Sequence, residues 1–529
     1  MIPHIRGLRR LAVAIAVTAV AAAGLPALPA TAASTVYEAE NATLSQAGVF
    51  NNHLGYTGTG FVDYVNTTGG YVEWTVTAAA AGPQTLTLRY SNGTTTVRPM
   101  DLAVNGSVVS AGLSFGSTGN WDTWANKSVT ANLVAGTNVI RATGTTSNGG
   151  PNVDSLTVGD VVTPPATDWS KAVVDSTMAR FTPSTIGGWS YPVALYLQGQ
   201  YQVYLRTHDA RYLQYIKDWG NRFVDSSGNI SNSFGSLDSM EPGNVLLILY
   251  KETGQDKWRI AAKKIRDRLT TYPRTSDGGW WHGSGSSREG QLWGDGTFMA
   301  DPFAIRYGQQ FNDATWGNNN AAQQLVVYAK HLQRTTGPQA GLLYHVYDEP
   351  GGATASWVHP ELGNTNGITW CRAEGWYGLA ITDILELLPA DHPQRAQLID
   401  ILRKLVDAFA RYQDPATGRW WQVVDKGTDP NNWLETSCSA MYTTTISRAI
   451  EKGYVDASYQ TYADKGYHGV LAKTSIGSDG RTNVADICIG TNADDALSFY
   501  YGRPRATNDF HGLGAFLIMS EQMIKTGRA

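Results

Sequence analysis

Gln397-Leu-Ile-Asp-Ile-Leu-Arg-Lys-Leu-Val-Asp-Ala-Phe-Ala-Arg-Tyr412 spaces Leu398, Ile401, Leu405, Ala408 and Tyr412 three or four residues apart, with charged residues between them. That period puts the apolar side chains on one face of an α-helix, and the face must be buried against a neighbour. Asp391 and Pro393 upstream supply a start signal. The same texture fills the chain after Asp168. It predicts helices near 169–181, 190–207, 210–224, 242–253, 256–270, 295–309, 319–335, 372–388, 394–412, 434–452, 457–472 and 511–526. A hairpin recurs in this run: Val203-Tyr204 with Thr207 and Tyr212 is echoed at equal spacing by Leu249-Tyr250 with Thr253 and Trp258. Twelve helices in paired hairpins predict an all-α (α/α)6 barrel, six inner helices ringed by six outer ones. An open α-solenoid would give the same pattern.

The chain before Asp168 has another texture. From Tyr37 to Val158 short alternating runs, such as Tyr71-Val-Glu-Trp-Thr-Val76, Gln84-Thr-Leu-Thr-Leu-Arg-Tyr90 and Asn138-Val-Ile-Arg-Ala142, are separated by turn signals at Asn92-Gly93, Asn105-Gly106 and Asn148-Gly149. Many short strands at this spacing predict a β-sandwich of jelly-roll type. Val161-Val-Thr-Pro-Pro-Ala-Thr167 reads as a linker stiffened by paired prolines. At the N-terminus, Arg6, Arg9 and Arg10 precede the apolar run Leu11–Leu25, and Ala30-Thr-Ala32 offers a cleavage site. The expected organisation is an export signal over 1–33, a sandwich over 34–160, a linker over 161–167 and a helical domain over 168–529. The signal implies a secreted, extracellular protein, and the arginine pair leaves the general and twin-arginine routes both open.

Composition narrows the function. The net charge is −4 and only 16% of residues are charged, which argues against a polybasic nucleic-acid binder. No segment after the signal is apolar enough to span a bilayer, so no membrane partner is expected for the mature form. Cys371, Cys438 and Cys488 allow at most one disulfide and match no metal-site spacing. Trp and Tyr are abundant, and their faces stack on sugar rings. A specific acid also draws notice. In Glu289-Gly-Gln-Leu-Trp-Gly-Asp-Gly-Thr-Phe-Met-Ala-Asp-Pro-Phe303, Asp295 lies between two glycines and near Trp293, Phe298 and Phe303. Apolar walls raise the cost of an ionised carboxylate, which predicts a raised pKa and an acid kept for proton transfer.

Tyr37-Glu-Ala-Glu-Asn-Ala42, Arg89-Tyr-Ser-Asn-Gly93, Leu102-Ala-Val-Asn-Gly106, Gly119-Asn-Trp-Asp-Thr-Trp124, Leu133–Arg141 and Asn152-Val-Asp-Ser-Leu-Thr-Val158 together resemble a carbohydrate-binding module of family 35 or its relative family 6. The resemblance implies a structural Ca²⁺ held by Glu38, Glu40 and Asp154. Alternate residues 38 and 40 on one strand would point the same way, and Ca²⁺ takes several hard oxygens. It also makes Arg98, Trp121 and Asn152 candidates for sugar binding. Solvated surface acids, and a core position for Trp121, are the structural alternatives.

The helical segment resembles the unsaturated rhamnogalacturonyl hydrolases of glycoside hydrolase family 105, and more distantly the unsaturated glucuronyl hydrolases of family 88. The resemblance is carried by Trp189-Ser-Tyr191, Leu237-Asp-Ser-Met-Glu-Pro-Gly243, Gly278-Gly-Trp-Trp-His282, Gln291-Leu-Trp-Gly-Asp295, Phe298–Phe303, Leu343-Tyr-His-Val-Tyr-Asp-Glu349, Trp370-Cys-Arg-Ala-Glu-Gly-Trp376 and Trp433–Ala440. It implies an enzyme acting on the C4=C5 uronic acid that a polysaccharide lyase leaves at the non-reducing end of pectic oligosaccharides. C4 is protonated, water adds at C5, and the hemiketal collapses to release the neighbouring sugar. By this resemblance Asp295 is the general acid and base and Asp238 its partner. Tyr191, His282, Trp293, His345, Trp370, Arg372 and Trp376 shape the sugar pocket, with Arg372 gripping the substrate carboxylate. No cofactor is implied for the reaction itself.

Gly283-Ser-Gly-Ser-Ser287 departs from the rhamnogalacturonyl members, which carry a basic residue after the histidine, so the leaving sugar is less secure than the unsaturated one. Structural roles remain open for the same residues: Asp295 and Asp238 as helix caps, His282 and His345 as packed histidines, Trp370 and Trp376 as core. Glu374 and Glu435 read equally as sugar ligands or structural acids. Other readings of the whole are a glucuronyl hydrolase, another toroid glycosidase or lyase, and a sugar-binding protein without catalysis.

Overall fold

The computed structural model describes residues 34–78, 80–160, 167–351 and 355–529. The expected export signal and the linker up to residue 166 lie outside the described residues. The chain divides into two compact units at Pro165/Ala166.

The first unit is a sandwich of two antiparallel sheets. Its strands are β1 Thr35–Glu38, β2 Thr43–Ser45, β3 Ala47–Phe50, β4 Phe61–Tyr64, β5 Tyr71–Ala78, β6 Gly82–Ser91, β7 Met100–Val104, β8 Ser107–Leu113, β9 Ala125–Leu133, β10 Gly136–Gly144 and β11 Asn152–Asp160. One sheet runs β3-β4-β11-β6-β9 with β1 added to β11, and the other β2-β5-β10-β7-β8. Period-two alternation decides which face is buried: Val72, Trp74 and Val76 of β5 meet Leu86 and Leu88 of β6 and Ile140 and Ala142 of β10 in one core. Asn105 (φ 49°) and Gly106 (φ 83°) make the two-residue turn joining β7 to β8, as Asn-Gly does in hairpins.

The second unit is helical. Its helices are α1 Trp169–Arg180, α2 Tyr191–Thr207, α3 Ala210–Gly220, α4 Gly243–Thr253, α5 Asp256–Thr270, α6 Gly296–Gln310, α7 Ala314–Leu332, α8 Cys371–Leu387, α9 Arg395–Tyr412, α10 Thr436–Glu451, α11 Gln460–Leu471, α12 Leu497–Tyr501 and α13 Phe510–Lys525. Contacts pass from α2 to α4, α6, α8, α10, α13 and back to α2, so the inner ring is closed and the solenoid alternative fails. The outer helices α1, α3, α5, α7, α9 and α11 each bridge two inner neighbours. Position in the ring accounts for composition. Every residue of α8 from Cys371 to Leu385 is buried, whereas α9 buries a stripe of Leu398, Ile401, Leu402, Leu405, Val406, Ala408 and Phe409. Each fully buried leucine of that stripe contributes about 2 kcal/mol of transfer free energy. The repeated hairpin is real: Thr207 and Thr253 each donate to the carbonyl four residues back, and each helix ends at a left-handed residue, His208 or Gly254.

Cys371 and Cys438 form a disulfide that ties α8 to α10, and Cys488 is free and buried.

Candidate active site

The starts of the inner helices converge. Tyr191 opens α2, Asp238 lies on a single 3-10 turn (Leu237–Ser239) just before α4, Asp295 precedes α6, Trp370 precedes α8, and Asp509 with His511 opens α13. The positive ends of these helix dipoles therefore face one region, which favours anions there. That region holds a cavity of about 210 Å³ lined by Tyr191, Asp238, His282, Arg288, Trp293, Asp295 and the segment Gly490–Asn492. Its size suits one sugar ring rather than an extended chain. A larger surface hollow lined by Arg206, Arg448 and Glu521 engages its own charges in ion pairs, Arg206 with Glu521 and Arg448 with Asp383, and presents no comparable set of free acids.

A short strand pairing builds the centre. Gln291–Trp293 runs antiparallel to Val346–Asp348, and Gly294 N–H donates to the His345 carbonyl at 2.9 Å. This brings His345 Nε2 to 3.4 Å from Asp295 Oδ2 across fifty residues of sequence. Asp295 stands at the N-cap position of α6, but its side chain makes no capping bond; it is free for chemistry. Asp238 likewise leaves capping to Ser236. His282 Nε2 sits 3.7 Å from Asp238 Oδ1, and its ring stacks on Trp293 at 4.6 Å.

The expected rise in the Asp295 pKa is not what the structure gives. Burial pushes its carboxyl up, but His345, His282 and Arg372 outweigh burial and hold it below the usual carboxylate range. The raised acid is Asp238. Burial lifts it, although 36% of its side chain faces open space, and the Asp295 charge adds to the rise against His282 and Arg288. Of the apolar residues near Asp295 in sequence, Trp293 lines the cavity with it, whereas Phe298 packs on Trp376 and Phe303 against Gly243.

Hydrogen bonds fix two histidine tautomers. Tyr500 OH accepts from Asn366 Nδ2 at 3.0 Å, so its proton goes to His345 Nδ1 at 2.7 Å. His345, kept neutral by burial, then carries its proton on Nε2, facing Asp295. On the other wall Asp509 Oδ1 accepts from His511 Nδ1 at 2.6 Å, leaving Nε2 to accept from Tyr191 OH at 2.7 Å. The Tyr191 oxygen is thereby left as an acceptor towards the cavity.

Of the residues expected from the sequence, Tyr191, Asp238, His282, Trp293 and Asp295 line the cavity, and His345 lies fully buried directly behind Asp295. Trp370, Arg372 and Trp376 do not line it. Trp370 is buried under His345, with ring centroids 4.6 Å apart, and Trp376 packs edge-on to Tyr191. Arg372 is fully buried and donates to the carbonyls of Cys488 and Ile489, so it anchors the segment leading to Gly490–Asn492 rather than offering a free clamp. Glu435 is structural: it caps α10 through Cys438 N–H and also accepts from Cys488 N–H. Glu374 is buried within α8, its carboxyl pushed well up by burial.

Sequence reasoning missed Arg288, Tyr500, Asp509, His511 and Gly490–Asn492. The acid–x–histidine pattern at Asp509-Phe-His511, opening an inner helix, is the one signal that could have found a pair among them.

In the sandwich, Glu38 ends β1 and Glu40 sits on a 3-10 turn, Ala39–Asn41, so they are not alternate residues of one strand as expected. They still reach one loop: Asp154 accepts from Thr57 N–H at 2.8 Å, the single Thr57 hydroxyl proton is shared between Glu38 and Asp154, and Glu40 accepts from Thr59 N–H at 2.6 Å. Glu40 Oε2 is buried with no partner, and Asp154 is also paired with Arg89 at 2.5 Å. Arg98 Nη1 donates to Asn66, Asn148 and Gly150, its guanidinium lies over Trp121, and its Nε is buried without a partner. Trp121 covers Gly93 and is half-buried, outside the core, while Asn152 is buried with Oδ1 unpartnered.

Residues 169–526 match the model of Glycosyl Hydrolase Family 88. The chain belongs to this family. Its hydrolase domain is similar to a family 105 glycoside hydrolase of Clostridium acetobutylicum, with 31% identity and a TM-score of 0.63, covering 68% of this chain and all of that one. It is also 26% identical over 342 residues to the unsaturated rhamnogalacturonyl hydrolase YesR of Bacillus subtilis, covering 64% of this chain and 90% of that protein. Residues 35–161 match the carbohydrate-binding module of family 35. That module is 56% identical over 122 residues to part of an exo-β-D-glucosaminidase of Amycolatopsis orientalis, a match that spans only 12% of that protein. The family 88 enzyme is thus a glycoside hydrolase carrying an N-terminal sugar-binding module, and carbohydrate is its substrate class.

Proposed function

We propose that the enzyme removes the unsaturated 4,5-dehydrogalacturonyl residue from the non-reducing end of lyase-generated pectic oligosaccharides, acting outside the cell. The observation that carries this reading is the pairing of two carboxyls of opposite electrostatic bias, Asp238 raised and Asp295 lowered, in a cavity of one-sugar size. The similarity to a rhamnogalacturonyl hydrolase supports the pectic substrate. The test is ultraviolet absorbance of the conjugated uronate in lyase-treated rhamnogalacturonan, homogalacturonan and glucuronan fragments. Steady loss is expected with a pectic fragment. Loss with glucuronan alone would move the specificity, and no loss with any would end the proposal.

Hydration of the vinyl ether needs a proton delivered to C4 and one removed from the water attacking C5. Asp295, with His345 Nε2–H behind it, takes the proton from Asp238, gives it to C4 and regains one from the water attacking C5. Asp238, whose carboxyl burial and the Asp295 charge bias towards the acid form, is the group from which that proton is supplied. As pH rises the pair loses that proton later than an ordinary carboxyl would, because Asp238 is raised. Asp238→Asn leaves only the depressed Asp295. Its alkaline limb in kcat/KM is therefore expected to move to lower pH in residual activity, and an unchanged limb would contradict the supply role.

A Ca²⁺ ion beside the Thr57–Thr59 loop is supported by three carboxylates that all bond to that loop and by Glu40 Oε2, which is buried without a partner, although Asp154 is also paired with Arg89. Glu38, Glu40 and Asp154 would hold it, joining the first and last strands of the module. Binding to the folded state alone stabilises it. Chelation with EGTA is expected to lower the module's Tm, Ca²⁺ to restore it, and Glu40→Gln to abolish the response; an EGTA-insensitive Tm would exclude the site. The module keeps the enzyme close to uronate-bearing polysaccharide and raises its effective concentration there.

A further inference from the structure

The glycine- and serine-rich stretch after His282 brings a cation to the cavity wall. The chain turns through Gly285 into a single 3-10 turn, Ser286–Arg288, and Arg288 returns to the cavity wall. Its aliphatic stem crosses Gly283: a Cβ added at 283 would lie 3.1 Å from Arg288 Cγ and 3.3 Å from its Cβ. The bare glycine gives the stem its path. The guanidinium carbon then lies over Trp293, 3.8 Å from the ring centroid, and Nη2 donates to Asn492 Oδ1 at 3.3 Å. The indole holds the head group in place, and a single neutral acceptor leaves most of its N–H groups unused.

Among the described residues no carboxylate comes within ion-pair distance of Arg288; Asp238 and Asp295 act on it through longer-range charge. It is also the one arginine or lysine among the residues lining the cavity. Two other guanidiniums nearby are engaged with main-chain carbonyls, Arg372 with Cys488 and Ile489 and Arg503 with Gly490. A substrate bearing a carboxylate has to enter a cavity that already contains two acids, and a cation with free donors adds to the helix N-termini in offsetting that charge.

We propose that Arg288 is the specificity determinant that recognises the substrate's carboxylate, reached from six residues downstream of the histidine across Gly283. The inference rests on the proposed unsaturated-uronyl substrate and names the group that reads its charge. Arg288 does not touch the reacting C4 or C5; it selects and orients the anion by a forked, charge-assisted contact.

The experiment compares one unsaturated pectic oligosaccharide as free acid and as methyl ester of its terminal uronate, with wild type, Arg288→Gln and Arg288→Lys. Wild type is expected to prefer the acid. Arg288→Gln should lose about 100-fold in kcat/KM on the acid, chiefly through KM, and change little on the ester, so that the preference collapses; Arg288→Lys should recover part of it. Equal losses on acid and ester, with a displaced pH profile, would show that Arg288 serves only to balance Asp238 and Asp295, and would overturn the proposal. An undiminished preference in Arg288→Gln would overturn it as well. Inactivity of wild type on both forms would instead refute the substrate reading itself.

Discussion

Asp295→Asn is expected to lose about 10⁴-fold in kcat at every pH, the upper end of what a single proton-transfer group contributes, because one carboxyl serves both transfers. The fold should survive. The amide is nearly isosteric, and its carbonyl oxygen can face His345 Nε2–H as the carboxylate does at 3.4 Å. No helix cap is lost either, since the Asp295 side chain makes no capping bond. Substrate binding should therefore persist while turnover disappears, which also separates catalysis from mere sugar binding. Calorimetric titration of the variant with unsaturated oligosaccharide, beside a kinetic assay, checks both halves. Residual activity within tenfold of wild type would remove Asp295 from the chemistry.

Arg372→Met is expected to act mainly on stability, by about 3–5 kcal/mol. The guanidinium is fully buried and satisfies two main-chain carbonyls, Cys488 and Ile489. Methionine fills much of the volume but removes a charged donor from the buried Cys488 carbonyl, at about 1–3 kcal/mol or more, and leaves Ile489 with only the Thr491 hydroxyl and the Cys488 thiol. Because Gly490–Asn492 follow directly and line the cavity, KM should rise as a consequence of the displaced segment. Thermal unfolding of the variant decides between this and a substrate-binding role. Were Arg372 a clamp for the substrate carboxylate, the Tm would hold and KM alone would rise.

The ring of helices is legible because each helix buries a face whose period is local. All twelve expected helices exist, and α9 carries its stripe from Leu398 onwards. Boundaries slip where packing overrides propensity. The helix expected from 319 begins at Ala314, through Gly317 and a run of asparagines that disfavour helix. Gly317 is required there because α7 lies so close to α6 that a Cβ would meet the Ala304 carbonyl at 2.6 Å. The short helix α12 has too few residues for a period, and Tyr500, which sets the His345 tautomer, was missed with it.

The candidate site was legible where motif residues point into the cavity, as Tyr191, Asp238, His282, Trp293 and Asp295 do. It was misread where electrostatics are non-local. Sequence neighbours Trp293, Phe298 and Phe303 suggested an apolar wall around Asp295. The partner that governs its charge, His345, arrives by strand pairing fifty residues away. Arg288 was missed for the same reason, since only the folded turn shows that its stem fills the space over Gly283.

The central claim is that the C4=C5 bond, rather than the glycosidic bond, is what the acid pair acts on. The most direct measurement offers one pectic oligosaccharide with an unsaturated terminal uronate and its saturated counterpart side by side, following release of the adjoining sugar. The account predicts release from the unsaturated chain in step with loss of its ultraviolet absorbance, and none from the saturated chain. Comparable release from the saturated chain would mean ordinary attack at the anomeric carbon, and would contradict it.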